Sequence, residues 1–232
     1  MKKIFILAPD LGSGQFFERK FKYHNIISYL HLYTIAPRVI GENENKSSKV
    51  TTSFSRAIEK SFSFGLPVVV ACNTLQFWLS KVNKKILRRG KIITTFKACK
   101  IKFSSKKVKP VWLGTTPTSK LIKSFVSLYK LGLIDLQTNL QELIWRIKIV
   151  NGDDFSSAPI QIKRKNTNIF YQKVKIKELK NKIINGLIEN NIKSVILGCT
   201  ELPYAFRYKK LKGIRFYDPA DILARYIKTS KI

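Results

Sequence analysis

The stretch PVVVACNTLQFWLSKV, residues 67–82, decides how the rest of the chain is read. Four apolar residues run without interruption into Cys72, as a parallel strand buried on both faces requires. Asn73 and Thr74 follow. Leu75, Trp78, Leu79, Val82 and Ile86 then fall at i, i+3, i+4, i+7 and i+11, one face of a helix. A thiol therefore stands where a strand hands over to a helix. The same arrangement recurs in SVILGCTELPYAF (194–206). There an apolar strand ends in Cys199, and Thr200-Glu201-Leu202-Pro203 leads into a helix start.

Strand and helix signals alternate on either side of these two seams. KIFILAP (3–9) reads as a strand, 14–27 as a helix, SYLHLYTIA (28–36) as a strand and 51–65 as a helix stopped by Gly65. The pattern then restarts. PVWLGT (110–115) is a strand, and 116–132 is a helix with Pro117 in its first turn and Gly132 as its stop. LIDLQ (133–137) is strand-like. Helices follow over 139–150 and 175–191, the second with an awkward Gly186. A strand at 214–219 and a helix at 220–228 come last. Such alternation predicts an α/β fold with parallel sheets and helices on both faces. Two rounds of it predict two similar Rossmann-like lobes, 1–98 plus 209–232 and 99–208. The stretch 97–109 reads as the interlobe connection. The polar, basic stretch 151–172 reads as a β-hairpin excursion or a mobile flap.

The chain has 232 residues, 44% of them hydrophobic, enough for a substantial core. No apolar run approaches the roughly 18 residues of a membrane span, and the short apolar run in MKKIFILAPDLG reads as a first strand rather than a signal peptide. Three widely spaced cysteines argue against a disulfide framework and for a reducing, cytoplasmic setting. Without a CxxC pair, and with only His24 and His31, a zinc site is not expected. The formal charge of +30 is extreme. Its excess is mostly lysine, spread along the whole length, which fits compositional drift better than the clustered face of a nucleic-acid binder. Nucleic-acid binding is thus a disfavoured alternative, and a field of this sign favours anionic substrates.

Ligands of open α/β sheets bind outside the carboxyl ends of the strands. Two facing lobes would bring Cys72 and Cys199 to opposite walls of one cleft, the expected active site. Thiols so placed suit one chemistry: one thiolate removes an α-proton, and the opposite thiol delivers a proton to the other face. An ordinary thiol pKa of about 8.5 lies near neutrality and falls at a helix N-terminus, so both cysteines are expected to be acidified. Asn, Thr and backbone N–H groups at the same seam can hold a carboxylate. No cofactor is implied. Cys99, in KACKIK, has no matching partner and reads as structural or incidental.

The two seams, ACNT (71–74) and LGCTELP (197–203), resemble the signatures of the aspartate/glutamate racemase superfamily of cofactor-independent, two-cysteine amino-acid racemases. LGTTPTSKL (113–121), QELIWRIKIVNG (141–152) and DPADILARYI (218–227) resemble its other segments, and HLYTIAPR (31–38) more loosely resembles the strand leading to a carboxylate-binding arginine. The resemblance implies that Cys72 and Cys199 are the acid/base thiols. It implies that Asn73, Thr74, Thr115 and Thr200 line the site, that Glu201 sits beside the second thiol, and that Arg38 and Lys148 hold substrate carboxylates. The Glu after GCT points to the aspartate or broad-specificity branch, and the family as a whole implies a homodimer. Three departures stand out. Ala8-Pro9-Asp10 replaces a Gly-Gly loop, leaving Asp10 as a candidate partner for the substrate amino group. Phe16 stands near a usual Thr, and Gln76 replaces a common His. They leave open another substrate, such as glutamate or a hydantoin, or a non-catalytic polyanion-binding protein on the same scaffold.

Overall fold

A computed structural model describes residues 1–32, 47–107, 109–151 and 169–230. The chain divides into two compact units, Met1–Ser105 with Pro219–Ile232, and Lys106–Asp218. Each is built on its own four-stranded sheet.

In the first unit, β1 (Lys3–Ala8), β2 (Ile27–Leu32), β3 (Val68–Val70) and β4 (Ile92–Ile93) lie in the order β2-β1-β3-β4, every pair parallel. The three valines of β3 are fully buried, as a central strand covered on both faces demands. Phe5, Leu7, Phe54, Ile58, Val68 and Val70 form the core on one face. Helix α1 (Leu11–Tyr23) starts three residues earlier than its apolar spacing suggests, because Asp10 caps it. The Asp10 Oδ1 accepts from the Ser13 amide at 2.6 Å, and Oδ2 accepts from the Ser13 hydroxyl at 3.1 Å. Helix α2 (Ser47–Phe62) packs against β1 and β3.

The single helix expected over 75–86 is instead three short pieces: α3 (Asn73–Trp78), a 3-10 turn (Leu79–Lys81) and α4 (Lys84–Leu87). Val82 turns extended, and Asn83 caps α4 by accepting from the Lys85 amide at 2.9 Å. The apolar face survives the break. Leu75 and Val82 are buried in the core, and Trp78, Leu79 and Ile86 pack against it. The short strand β4 and helix α5 (Thr95–Lys102) also belong to this unit, and the stretch 97–109 that reads as a connection begins inside α5.

In the second unit, β5 (Val111–Leu113), β6 (Ser194–Leu197) and β8 (Ile214–Tyr217) are parallel in that order, and β7 (Lys210–Leu211) closes the far edge antiparallel to β8. Because β8 pairs with β6, residues 209–218 lie in this unit, not in the first as the sequence suggests. Helix α6 ends at Leu121 (Thr116–Leu121), short of the expected 132. The chain then returns beside the free edge of β5, where the Trp112 amide donates to the Val126 carbonyl at 2.8 Å. Satisfying that strand edge outweighs continuing the helix. Past Gly132, in the left-handed region at φ 73°, Leu133 takes the N-cap position and helix α7 (Ile134–Val150) takes up the rest of the stretch that looks strand-like at 133–137.

Helix α7 packs along α8 (Ile169–Glu189) through Leu136, Leu140, Leu143 and Ile144 against Leu179, Ile183 and Leu187. Gly186 lies where these helices approach, and a Cβ there would stand 2.8 Å from Leu136 Cδ1. Most of the excursion expected at 151–172 lies outside the described residues. Helix α10 (Pro219–Thr229) returns to the first unit and packs on α5 and α1. His24 Nε2 meets Asp221 Oδ1 at 3.0 Å, and the Lys2 ammonium donates to the Ile227 carbonyl at 2.6 Å. Among the described residues, no helix is long and apolar enough to cross a membrane.

Candidate active site

Both thiols stand just past the carboxyl end of a buried strand. Cys72 follows β3 and caps α3 in extended conformation, φ −148° and ψ 121°. Strands β1 and β3 are adjacent, so the Asp10 turn and Cys72 leave the same end of one sheet. Behind Cys72 lies a buried polar group. Asn73 and Gln76 are each 6% exposed and Thr95 is fully buried. The Gln76 amide nitrogen donates to Thr95 Oγ1 at 2.9 Å and to the Val70 carbonyl at 3.1 Å, and the Thr95 hydroxyl donates to Asn73 Oδ1.

In the second unit Cys199 follows β6, beyond Gly198. Its thiol donates to Glu201 Oε2 at 2.6 Å, and the Thr200 hydroxyl donates to the same oxygen at 3.1 Å. The ammonium of Lys148, from the last turn of α7, lies 3.4 Å from Glu201 Oε1 and over the Trp145 ring, 5.4 Å from its centroid. Burial alone would raise the Glu201 carboxyl. The charge of Lys148 and the hydrogen bonds from Cys199 and Thr200 outweigh it and hold the group below its ordinary value. Cys199 moves the other way. Burial, then the Glu201 charge, push its thiol well above the ordinary range, against a smaller pull from Lys148. The expectation that both thiols are acidified by a helix N-terminus therefore fails at Cys199. The helix beyond it, α9 (Leu202–Ala205), is a single turn, and the neighbouring carboxylate dominates.

Thr115 leaves β5 beside this cluster, for β5 pairs with β6 and the Gly198 amide donates to the Leu113 carbonyl at 2.6 Å. Its hydroxyl lies 2.8 Å from that of Thr118. Beneath both turns sits the fully buried, flat indole of Trp112. A Cβ at Gly198 would stand 2.1 Å from that ring, and one at Gly114 would stand 2.6 Å from its nitrogen. Among the described residues, no cluster of His, Cys, Asp and Glu is arranged to hold a metal.

No protein-family model and no curated protein matches the sequence, but solved structures do. An aspartate racemase homologue from Pyrococcus horikoshii matches at TM-score 0.60 and 19% identity, over 98% of this chain and 97% of its own. The fold is that of the aspartate/glutamate racemases. Glutamate racemase from Francisella tularensis, solved with D-glutamate, matches at TM-score 0.59 and 13% identity, over 97% of this chain and 79% of its own. Glutamate racemase from Bacillus anthracis matches at TM-score 0.55 and 15% identity, over 98% and 80%.

Within this racemase fold the candidate residues form two groups. Cys199, Thr200, Glu201 and Lys148 make one connected cluster, with Thr115 on the neighbouring strand end. Cys72, Asn73 and Asp10 stand at the carboxyl edge of the first sheet. Thr74 lies in the first turn of α3, and Arg38 lies outside the described residues. Cys99 is fully buried within α5. Gln76 draws attention in the sequence as a substitution, whereas Thr95 does not. Its neighbour Thr94 caps α5, accepting from the Lys97 amide at 3.1 Å.

Proposed function

We propose that the chain is a cofactor-independent amino-acid racemase, an isomerase using Cys72 and Cys199 as its two acid/base groups, with aspartate as the leading substrate. The observation that carries this reading is the hydrogen-bonded Cys199–Glu201 pair with Lys148 behind it, standing at a strand end equivalent to that of Cys72. A carboxylate that accepts from a thiol keeps that thiol protonated, so Cys199 rests as an acid. The proton cycle then has a direction. Cys72 as thiolate takes the α-proton while Cys199 gives its proton to the opposite face. The Cys199 thiolate left behind lies against the Glu201 carboxylate, and that repulsion drives its reprotonation. In the reverse direction Glu201 is the group placed to receive the Cys199 proton before the thiolate acts. Each positioned acid or base contributes roughly 10²–10⁴-fold. Thr115, Thr200, Asn73 and Thr74 supply hydrogen-bond donors, Lys148 and Arg38 the cations for two carboxylates, and Asp10 an anion for the ammonium. The likeness to a homologue of aspartate racemase supports an acidic amino acid, and Glu201 in place of His favours aspartate over glutamate.

The test is exchange of the α-hydrogen of each enantiomer in D₂O, over aspartate, glutamate and a wider amino-acid panel. The native protein is expected to exchange and invert both aspartate enantiomers. A variant with one thiol can still remove and return the proton on its own face. Cys72→Ser and Cys199→Ser are therefore each expected to lose racemisation yet label one enantiomer, a different one in each variant. Racemisation by either variant near the native rate would overturn the two-thiol mechanism. No exchange on any substrate would overturn the reading altogether.

A further inference from the structure

Three polar side chains of α7 lie in one stripe. Gln137, Gln141 and Lys148 fall at i, i+4 and i+11, within about 40° of one another around the helix axis. Lys148 meets Glu201 Oε1. The two glutamines reach the turn that carries Thr115. The Gln137 amide nitrogen donates to the Gly114 carbonyl at 3.0 Å, and Gln141 Oε1 accepts from the Thr116 amide at 2.9 Å. Each backbone partner has a single role: the carbonyl only accepts and the N–H only donates. Reversing either side-chain amide would therefore oppose two acceptors or two donors. Ser119 completes the bracket. Its amide donates to the Thr115 carbonyl at 2.8 Å, and its hydroxyl donates to the Gly114 carbonyl at 3.2 Å. The backbone on both sides of Thr115 is thus pinned from α7.

Gln141 also takes over a local duty. Thr115 is the N-cap residue of α6, yet its side chain makes no capping bond. Its hydroxyl meets that of Thr118 instead. Pro117 brings no N–H to the first turn, so the Thr116 amide is one of few donors there that need a partner, and that partner comes from another helix. A threonine capping its own helix would turn its oxygen toward the backbone. Thr115 does not.

We infer that Gln137 and Gln141 are positioning residues that hold the Thr115 turn, with Gln141 capping α6 in place of Thr115, so that the Thr115 hydroxyl is presented to the substrate from the same unit as Cys199 and Glu201. The two glutamines meet opposite demands, since residue 137 must donate and residue 141 must accept. The substrate part of this inference rests on the racemase reading; the hold on the turn does not.

Two measurements on the full chain separate the parts. The first is hydrogen exchange of the Thr116 amide in protein labelled with ¹⁵N-threonine, without ligand, its signal identified by loss in Thr116→Ser. Gln141→Met is close in size but has no acceptor oxygen, and exchange there should quicken about ten-fold. Gln141→Glu keeps an acceptor and should keep the native protection. Equal exchange in native protein and Gln141→Met would overturn the hold on the turn. Should Gln141→Met fail to fold, Gln141→Ala, which favours the helix, decides the point in the same way. The second measurement is KM and kcat for aspartate racemisation. Gln137→Met and Gln141→Met are each expected to raise KM about ten-fold with kcat much less affected, and Gln141→Glu to keep the native KM. In a Thr115→Val background the same two Met variants should leave KM where Thr115→Val alone puts it, because they act through the hydroxyl already removed. An unchanged KM in either Met variant would overturn the substrate part for that residue. Effects as large without the Thr115 hydroxyl as with it would overturn the route through Thr115. Thr116 exchange that responds as expected, in a protein that exchanges no amino acid, would remove the racemase reading and leave the hold on the turn intact.

Discussion

Glu201 sets the behaviour of the thiol two residues before it. Burial and the Glu201 charge raise Cys199, while Lys148 opposes them. Replacing Glu201 by Gln removes one raising cause and leaves the ammonium uncompensated, so the Cys199 thiol should ionise at lower pH. Alkylation of Cys199 by iodoacetamide, followed in a Cys72→Ser background, should show its midpoint moving down in Glu201→Gln. A midpoint that stays or rises would mean that the carboxylate does not govern the thiol. At this scale the sequence was informative where a residue carries its chemistry in its type and place. Two thiols at matched strand ends and a Glu after GCT are visible without coordinates. The raised thiol was not visible, because helix position and a nearby carboxylate pull in opposite directions and only the 2.6 Å contact decides between them. Thr95 was hidden for a related reason. Its partners, Asn73 and Gln76, lie on a different element and at long sequence separation.

Two glycines at close approaches make opposite predictions at the scale of elements. Gly198 and Gly186 both lie where an added Cβ would stand nearer than contact distance, 2.1 Å from the Trp112 ring and 2.8 Å from Leu136 Cδ1. The Trp112 indole is rigid and fully buried, stacked on Phe125, so it cannot yield. Gly198→Ala should cost about 1–3 kcal/mol, the usual range for overpacking, and should displace the turn that carries Cys199. At Gly186 the obstacle is the end of a flexible leucine, and Ala gains about 0.8–1 kcal/mol of helix propensity over Gly. Gly186→Ala should therefore fall near neutral. Denaturant midpoints at constant slope check both; a Gly198→Ala midpoint equal to native would remove Trp112 as the seat of that turn. The same comparison explains which elements the sequence revealed. Apolar strands such as 68–70 and 194–197 are readable because burial on both faces leaves no other pattern. The breaks in 75–86 and 116–132 are not, since they answer to a strand edge and a capping asparagine rather than to apolar spacing.

Over the whole molecule the dominant quantity is charge, +30 on 232 residues. A field of that size concentrates anions near the surface and is screened over about 10 Å at 0.1 M salt. The kcat/KM for aspartate should fall as sodium chloride rises from tens to hundreds of millimolar, with kcat nearly constant. Salt-insensitive kcat/KM would mean the excess lysine plays no part in capture. Duplex binding that weakens steeply with salt, in a protein that exchanges no amino acid, would instead support the polyanion alternative. The chain path carries a separate consequence. Helix α10 belongs to the first unit, yet it follows the second in the chain. The second unit, Lys106–Asp218, is continuous and has its own core. During synthesis, then, the middle of the protein can finish folding while the beginning is still waiting for Ile222, Leu223 and Ile227 to complete its core. A nascent chain stopped just after Asp218 should resist proteolysis over Lys106–Asp218 and be cut readily within Met1–Ser105.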